Sequence, residues 1–173
     1  MDWLVIGLRI VHIGAAVFWA GSAFFFFLFV EPTARALGPD AGKFMHHVVA
    51  QRRIVSRVVG ASTLTVLAGA LLYWRDSAGL TASWITSPAG LAFTLGGLTG
   101  LVAWLDGVVG IGPSVTNLDR LATSIATVGR PPSNEQLSAL DALQVRLRRL
   151  GQLDVVMLSI AIVAMAAARY LFA

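Results

Sequence analysis

Four apolar stretches, separated by polar segments, divide the chain. They cover residues 4–30, 54–74, 91–111 and 155–172. Each is close in length to the roughly 20 apolar residues that a helix needs to cross a bilayer. Because backbone groups in hydrocarbon must hydrogen-bond to each other, we expect all four stretches to be helices. The pattern predicts an all-α integral membrane protein with a single domain, an up-down four-helix bundle.

The polar segment before the fourth stretch carries a helix start signal. Residues 133–136 read SNEQ, which has the form of a capping box between a serine and a glutamine. Leucines follow at spacings of three and four residues, at positions 137, 140, 143, 147 and 150. We therefore expect helix 4 to begin near residue 134 and to project into the cytoplasm. Helix 3 should project likewise through 113–128, with GRPPS at 129–133 as the break between the two helices.

The segment between the first two stretches contains a break signal of its own. LGPDAG at 37–42 combines two glycines with a proline, which together end a helix. Residues 43–53 contain neither glycine nor proline. We expect them to lead into helix 2 without a further break.

Composition and charge indicate the environment and the orientation. Apolar residues make up 57% of the chain and charged residues 13%, against roughly 45–50% and about 25% in globular proteins. Ten of the thirteen lysines and arginines lie in or beside the two long connections. Cytoplasmic loops are enriched in these residues, so we expect a multi-pass membrane protein with both long connections in the cytoplasm and both termini outside. The net charge of +4 then reflects topology and contact with the lipid bilayer, not nucleic-acid binding.

Candidate chemistry lies in the ionisable residues of the spans, because the chain has no cysteine for a thiolate site. Arg9 and His12 are three positions apart and share one helix face. Arg9 can extend to the outer interface, or bind a carboxylate such as a haem propionate. His12 lies about 13 Å below that interface and is too short to reach it. It must meet a hydrogen-bond partner, a haem iron or another metal such as copper.

Residues on two other helices could complete a site around His12. Met165 in helix 4 is predicted at the same depth, and histidine with methionine is an axial pair of haem iron. Thr63 and Thr65 in helix 2 lie near this depth and could hydrogen-bond the imidazole ring, which would then be structural.

The other two histidines cannot join this site. His46 and His47 precede helix 2 on the cytoplasmic side, about 25 Å from His12 by helix rise. One iron cannot bridge that distance. We expect them to be solvated or to pack within an interfacial helix, and a second haem or metal site near them stays open.

Two aspartates and two arginines form a second group of charges near the cytoplasmic ends of the spans. Asp106 and Asp154 lie one or two turns inside helices 3 and 4, and Arg53 and Arg57 lie at a similar level in helix 2. Unpaired carboxylates at this depth are costly. We therefore expect structural Asp–Arg ion pairs across these helices, with a proton-uptake path as the alternative.

The first span also carries a pattern typical of known membrane families. In HIGAAVFWAGSAFFFFLFV, His12 is followed by Trp19 and Gly21. This resembles the opening span of the copper-resistance D family and of the bacterial haem-containing protoporphyrinogen oxidases of the HemJ type. A family of uncharacterised four-helix integral membrane proteins is more similar still, through RRIVSRVVGASTLTVLAGALLY and GIGPSVTNL.

The resemblance implies two different functions. The oxidase family implies a b-type haem with His12 as axial ligand and Trp19 beside the cofactor, serving electron transfer or a membrane-embedded oxidation with a redox partner or quinone. The copper-resistance family implies a non-enzymatic, copper-related transport or assembly protein without haem. The oxidases also use a lysine in their third span, whereas Lys43, the only lysine here, lies in a connection. Whether the chain is an enzyme, and whether it forms a homo-oligomer, stays open at this point.

Overall fold

The computed structural model describes residues 2–171, apart from the side chain of Pro39. These residues form four long helices and no strand. The helices are α1 Trp3–Leu37, α2 Ile54–Asp76, α3 Pro88–Val128 and α4 Asn134–Ala168. All four are long and apolar enough to cross a membrane, so the predicted all-α four-helix bundle of a multi-pass membrane protein is confirmed by length and composition. Residue 172, the end of the predicted fourth span, lies outside the described residues.

The two ends of the bundle differ in their connections. Residues 77–87, which include the short helix Ala82–Ile85, join α2 to α3. We name this the terminal end, because α1 begins and α4 ends there. At the opposite end, residues 38–53 join α1 to α2 and residues 129–133 join α3 to α4. We name this the connection end.

The helices pack chiefly as two pairs, α1 with α2 and α3 with α4. Small residues let the backbones approach, and the core where the pairs meet is built around Trp19, which is only 4% exposed. Its buried neighbours are Ala20, Ala23, Ala103 and Leu158. Many large apolar side chains on the outside of the helices stay exposed, among them Ile10, Val17, Leu67, Leu98 and Val163. This is the surface that lipid covers in a membrane protein.

Two long helices pass through a proline without ending. Proline has no N–H, and its ring collides with the carbonyl four residues earlier. In α1 and α3 a π turn precedes the proline, at Phe26–Val30 before Pro32 and at Asp106–Ile111 before Pro113. The wider turn shifts the hydrogen-bond register, so that Gly112 N–H bonds to Gly107 O. Helix 3 therefore continues to residue 128, as the sequence predicts.

The start of α4 confirms the capping box. The Ser133 hydroxyl accepts a hydrogen bond from the Gln136 N–H at 3.2 Å, and the Gln136 side chain accepts one from the Ser133 N–H at 2.9 Å. These two bonds satisfy two N–H groups that would otherwise have no partner at the start of the helix. Just before the capping box, Gly129 has a left-handed φ of 64°, which ends α3.

The expected unbroken path from residue 43 into helix 2 is wrong. A short helix Gly42–His46 is followed by a π turn His47–Gln51, and the chain then breaks at Arg53. Arg53 has φ 51° and ψ 43°, a left-handed conformation that cannot continue a right-handed helix. The break redirects the chain and lets His46 pack against α3 instead of stacking below α2.

Candidate functional sites

His12 joins α1 to α2 through its imidazole ring. Its Nδ1 lies 2.8 Å from the backbone carbonyl oxygen of Thr65. A carbonyl oxygen can only accept, so Nδ1 carries the proton and donates it. In the neutral ring, Nε2 then keeps its lone pair. Of the partners that the sequence leaves open for His12, the structure shows a hydrogen bond to helix 2, made to the Thr65 main chain rather than to its hydroxyl.

Gly69 makes room for this contact. It lies one turn after Thr65, on the same face of α2. A Cβ at Gly69 would stand 2.8 Å from Cε1 and 3.0 Å from Nδ1 of His12. The ring therefore lies directly on the α2 backbone, and only glycine permits that approach.

Arg9 points to the terminal end rather than into the bundle. Its side chain is 60% exposed, and its Nη2 lies 3.7 Å from Oδ2 of Asp76, the last residue of α2. A second ion pair joins Asp2 to Arg75 at the same level. Arg9 thus reaches the end of the span while its neighbour His12 stays inside.

The other two residues predicted beside a cofactor occupy different helix contacts. The Met165 side chain packs on Gly96 of α3, where a Cβ would stand 2.7 Å from the methionine Cγ. Its contacts lie between α3 and α4, whereas those of His12 lie between α1 and α2. Trp19, two turns below His12 on α1, belongs to the core cluster between the pairs.

The predicted ion pairs of Asp106 and Asp154 with Arg53 and Arg57 do not form within the described residues. Arg53 is the left-handed residue before α2, and both arginines are exposed. Their side chains therefore have water or headgroups as alternative partners. The carboxylates instead stay inside: Asp154 is 3% exposed, and neither its Oδ1 nor Oδ2 of Asp106 has a hydrogen-bond partner.

Glycines again shape the surroundings of these two carboxylates. A Cβ at Gly110 would stand 2.7 Å from Oδ1 of Asp106, so that the carboxylate folds back over α3. A Cβ at Gly151 would stand 2.2 Å from the Phe27 ring, which therefore lies directly on α4 about one turn before Asp154. The π turn Asp106–Ile111 places Asp106 at a distortion of the helix, and such turns are frequent at functional sites.

Near the connection end, His46 meets a carboxylate that the sequence analysis does not single out. Its Nδ1 lies 3.0 Å from Oδ1 of Asp119 and 3.3 Å from the Thr123 hydroxyl, both on α3. Asp119 and Thr123 are one turn apart and share a face. The spacing of Asp119 and Thr123 is the only sign in the sequence that the two share a helix face. It does not connect them to a histidine 73 residues earlier in the chain.

Metal ligands do not converge anywhere in the part of the chain that the structure describes. Within residues 2–171, no group of three or more His, Asp or Glu side chains is arranged to hold a metal ion. Comparison with protein-family models, with curated proteins and with solved structures finds no match to this chain. The functional assignment therefore rests on the residues and their geometry.

Proposed function

We propose that this protein binds a b-type haem in the half of the bundle nearest the terminal end, with His12 as the axial ligand. The observation that carries the proposal is the hydrogen bond from His12 Nδ1 to the Thr65 carbonyl. It fixes the tautomer and the ring orientation and leaves Nε2 as the ligating atom. Histidines that bind metals typically donate their other ring N–H to such a carbonyl.

The residues fit ligation by one histidine rather than by a histidine and a methionine. His12 is held on α2, while Met165 packs on α3. Arg9 keeps free guanidinium donors beyond its single 3.7 Å contact with Asp76, so it can also bind a propionate at the terminal end. When bound, the haem supplies one-electron chemistry. The chain supplies a fixed imidazole in an apolar environment, which suits electron transfer or an oxidation with a redox partner or quinone.

The first-span resemblance and the charge distribution complete this proposal. The resemblance supports haem through His12 and Trp19. The basic residues of the connection end support insertion in a bacterial inner membrane with both termini outside.

The test is an absorption spectrum of the detergent-purified, full-length protein expressed with an ample haem supply. We expect a Soret band that His12→Ala abolishes or shifts. His47→Ala is the matched control, because His47 is exposed at the connection end, and its spectrum should equal that of the wild type. A monodisperse, helical wild-type protein without a Soret band would overturn the proposal, and so would an unchanged spectrum of His12→Ala.

A second candidate is favoured by the same hydrogen bond. The hydrogen bond from the imidazole to α2 is by itself a structural role, because polar side chains stabilise the association of membrane helices. His12 would then be structural in a non-enzymatic assembly or copper-related transport protein. In that case the protein carries no haem, and His12→Ala lowers its stability. The transport role is tested by the copper sensitivity of cells that lack the gene.

A further inference from the structure

Two carboxyl groups, one on α3 and one on α4, each hold a buried oxygen atom that has no hydrogen-bond partner. Asp106 on α3 and Asp154 on α4 interact electrostatically with one another. Asp154 makes no hydrogen bond although it is almost wholly buried. No ion pair reaches either group within the described residues. We propose that Asp106 and Asp154 form a membrane-embedded proton-binding site, which exchanges its proton with the connection end.

A bound proton is the chemistry that such a pair requires. Two ionised carboxylates in a low-dielectric interior repel each other, and each also loses its hydration. Binding one proton removes one charge and with it the repulsion, so each carboxylate favours the protonated form of the other. The site passes from two charges to one, with the proton bound to one carboxyl oxygen.

Apolar side chains lie beside both aspartates. A Cβ at Gly151 would stand 2.2 Å from the Phe27 ring, and a Cβ at Gly110 would stand 3.1 Å from Leu150 Cδ1. Phe27 and Leu150 therefore lie on the helix backbone close to Asp154 and Asp106. Pro113 also lacks an N–H, so a carbonyl of the preceding π turn has no helical donor.

An open groove on the surface of α4 lies beside Leu150, toward the connection end. It has a volume of about 460 Å³ and is lined by residues of α4, among them Arg146, Arg149 and Leu150. Leu150 separates this groove from Gly110 and thereby from Asp106. Arg146 is the cation that acts most on Asp106. It lies beyond 4.0 Å, close enough to stabilise the charged form of the pair and too far to neutralise it by contact.

The remaining charges around the site are few. The π turn Phe26–Val30 of α1 and the first part of α3, Pro88–Leu105, contain no ionisable side chain. Further along α3, Asp119 and Arg120 lie about 20 Å beyond Asp106 by helix rise. The groups of α4 and α2 nearest the connection end are Asp141, Arg148, Arg149, Arg53 and Arg57, and none pairs with either aspartate. Glu31, the residue of α1 directly after that π turn, is paired with Arg35, so Arg146 is the cation whose charge acts on the pair.

The experiment uses dicyclohexylcarbodiimide, an apolar reagent that modifies protonated carboxyl groups. The wild-type, full-length protein in lipid nanodiscs is labelled across a pH series, and adducts are located by peptide mass spectrometry. We expect an adduct on Asp106 or Asp154 whose yield falls about tenfold per pH unit above its midpoint. Asp76 is the internal control, because it is half-exposed and paired with Arg9, and it should stay unlabelled.

Each other outcome overturns the proposal. A folded protein without an adduct on either aspartate at any pH refutes a bound proton. Protection of the adduct by sodium chloride at constant pH, with no protection by choline chloride, assigns the pair to a metal cation instead. The mapping uses only the wild-type protein, so its outcome does not depend on whether a variant such as Asp154→Asn folds. It is also independent of haem, because labelling is measured on protein with and without a Soret band.

Discussion

Gly69→Ala is the substitution that most directly tests the contact between His12 and α2. The new Cβ would stand 2.8 Å from His12 Cε1, whereas carbon atoms in good contact are about 3.5 Å apart. The ring must therefore retreat by about 0.7 Å. Such a retreat lengthens the 2.8 Å hydrogen bond to the Thr65 carbonyl to a distance at which it no longer forms. The methyl group thus removes the interaction that fixes the imidazole.

The expected change in the free energy of unfolding follows from two opposing effects of the substitution. Overpacking a close contact costs about 1–3 kcal/mol, which includes the lost interhelical hydrogen bond of about 0.6 kcal/mol. Replacing a helical glycine by alanine stabilises by about 0.5–1 kcal/mol. We therefore expect Gly69→Ala to lower the free energy of unfolding by up to about 2.5 kcal/mol.

Gly60→Ala is the matched control on the same helix. Nothing lies within 4 Å of a Cβ at Gly60, so this variant receives only the helix-propensity gain. The difference between the two variants isolates the contact with His12, and we expect it to be about 1–3 kcal/mol. Reversible unfolding in mixed micelles of mild detergent and dodecyl sulfate, followed by circular dichroism, measures both.

A double-mutant cycle then identifies the cause. In the His12→Ala background no ring opposes the new methyl group, so Gly69→Ala should become as harmless as Gly60→Ala. Residues in contact show coupling energies of about 0.5–3 kcal/mol. Equal stabilities of Gly69→Ala and Gly60→Ala in the wild-type background would refute the reasoning, as would a penalty that persists without the ring.

Two further predictions concern the terminal end and the orientation. Gly90→Ala should destabilise by about 3 kcal/mol or more, because its Cβ would stand 1.9 Å from the Trp84 carbonyl oxygen; Gly97→Ala, with nothing within 4 Å, should be tolerated in the same unfolding assay. In this cysteine-free chain, Pro131→Cys should react with an impermeant maleimide only after cell lysis and Ser83→Cys in intact spheroplasts. The reverse pattern would contradict the proposed orientation.

Much of the fold follows from patterns that act locally. Apolar length gives the four helices, and the SNEQ box gives the start of α4, because both depend on neighbouring residues alone. The break at Arg53 does not follow, since the left-handed conformation is typical of glycine and asparagine and this residue is an arginine. The packing of His46 on Asp119 and Thr123 joins residues more than 70 positions apart and leaves no periodic signal.

The candidate sites are predictable in position but not in partners. Helix rise alone places His12 too deep to reach water, and the Thr65 region of helix 2 follows from matching depths. The pairing of Asp106 with Arg57 fails because depth does not fix direction around a helix. An arginine near a span end can extend outward at little cost, so a carboxylate at the same level does not hold it.

The glycines show most clearly that packing depends on the direction in which a residue faces around its helix. Gly7, Gly14 and Gly21 repeat every seven residues along α1, yet nothing lies within 4 Å of a Cβ at any of them. Gly69, Gly110 and Gly151 lie on three different helices, and each receives a side chain directly on its helix backbone. Two of these three lie beside an ionisable group, His12 or Asp106, and the third lies one turn from Asp154. Gly96 receives the Met165 side chain in the same way, so close approach depends on which side chain faces each glycine, and a glycine count or spacing does not give it.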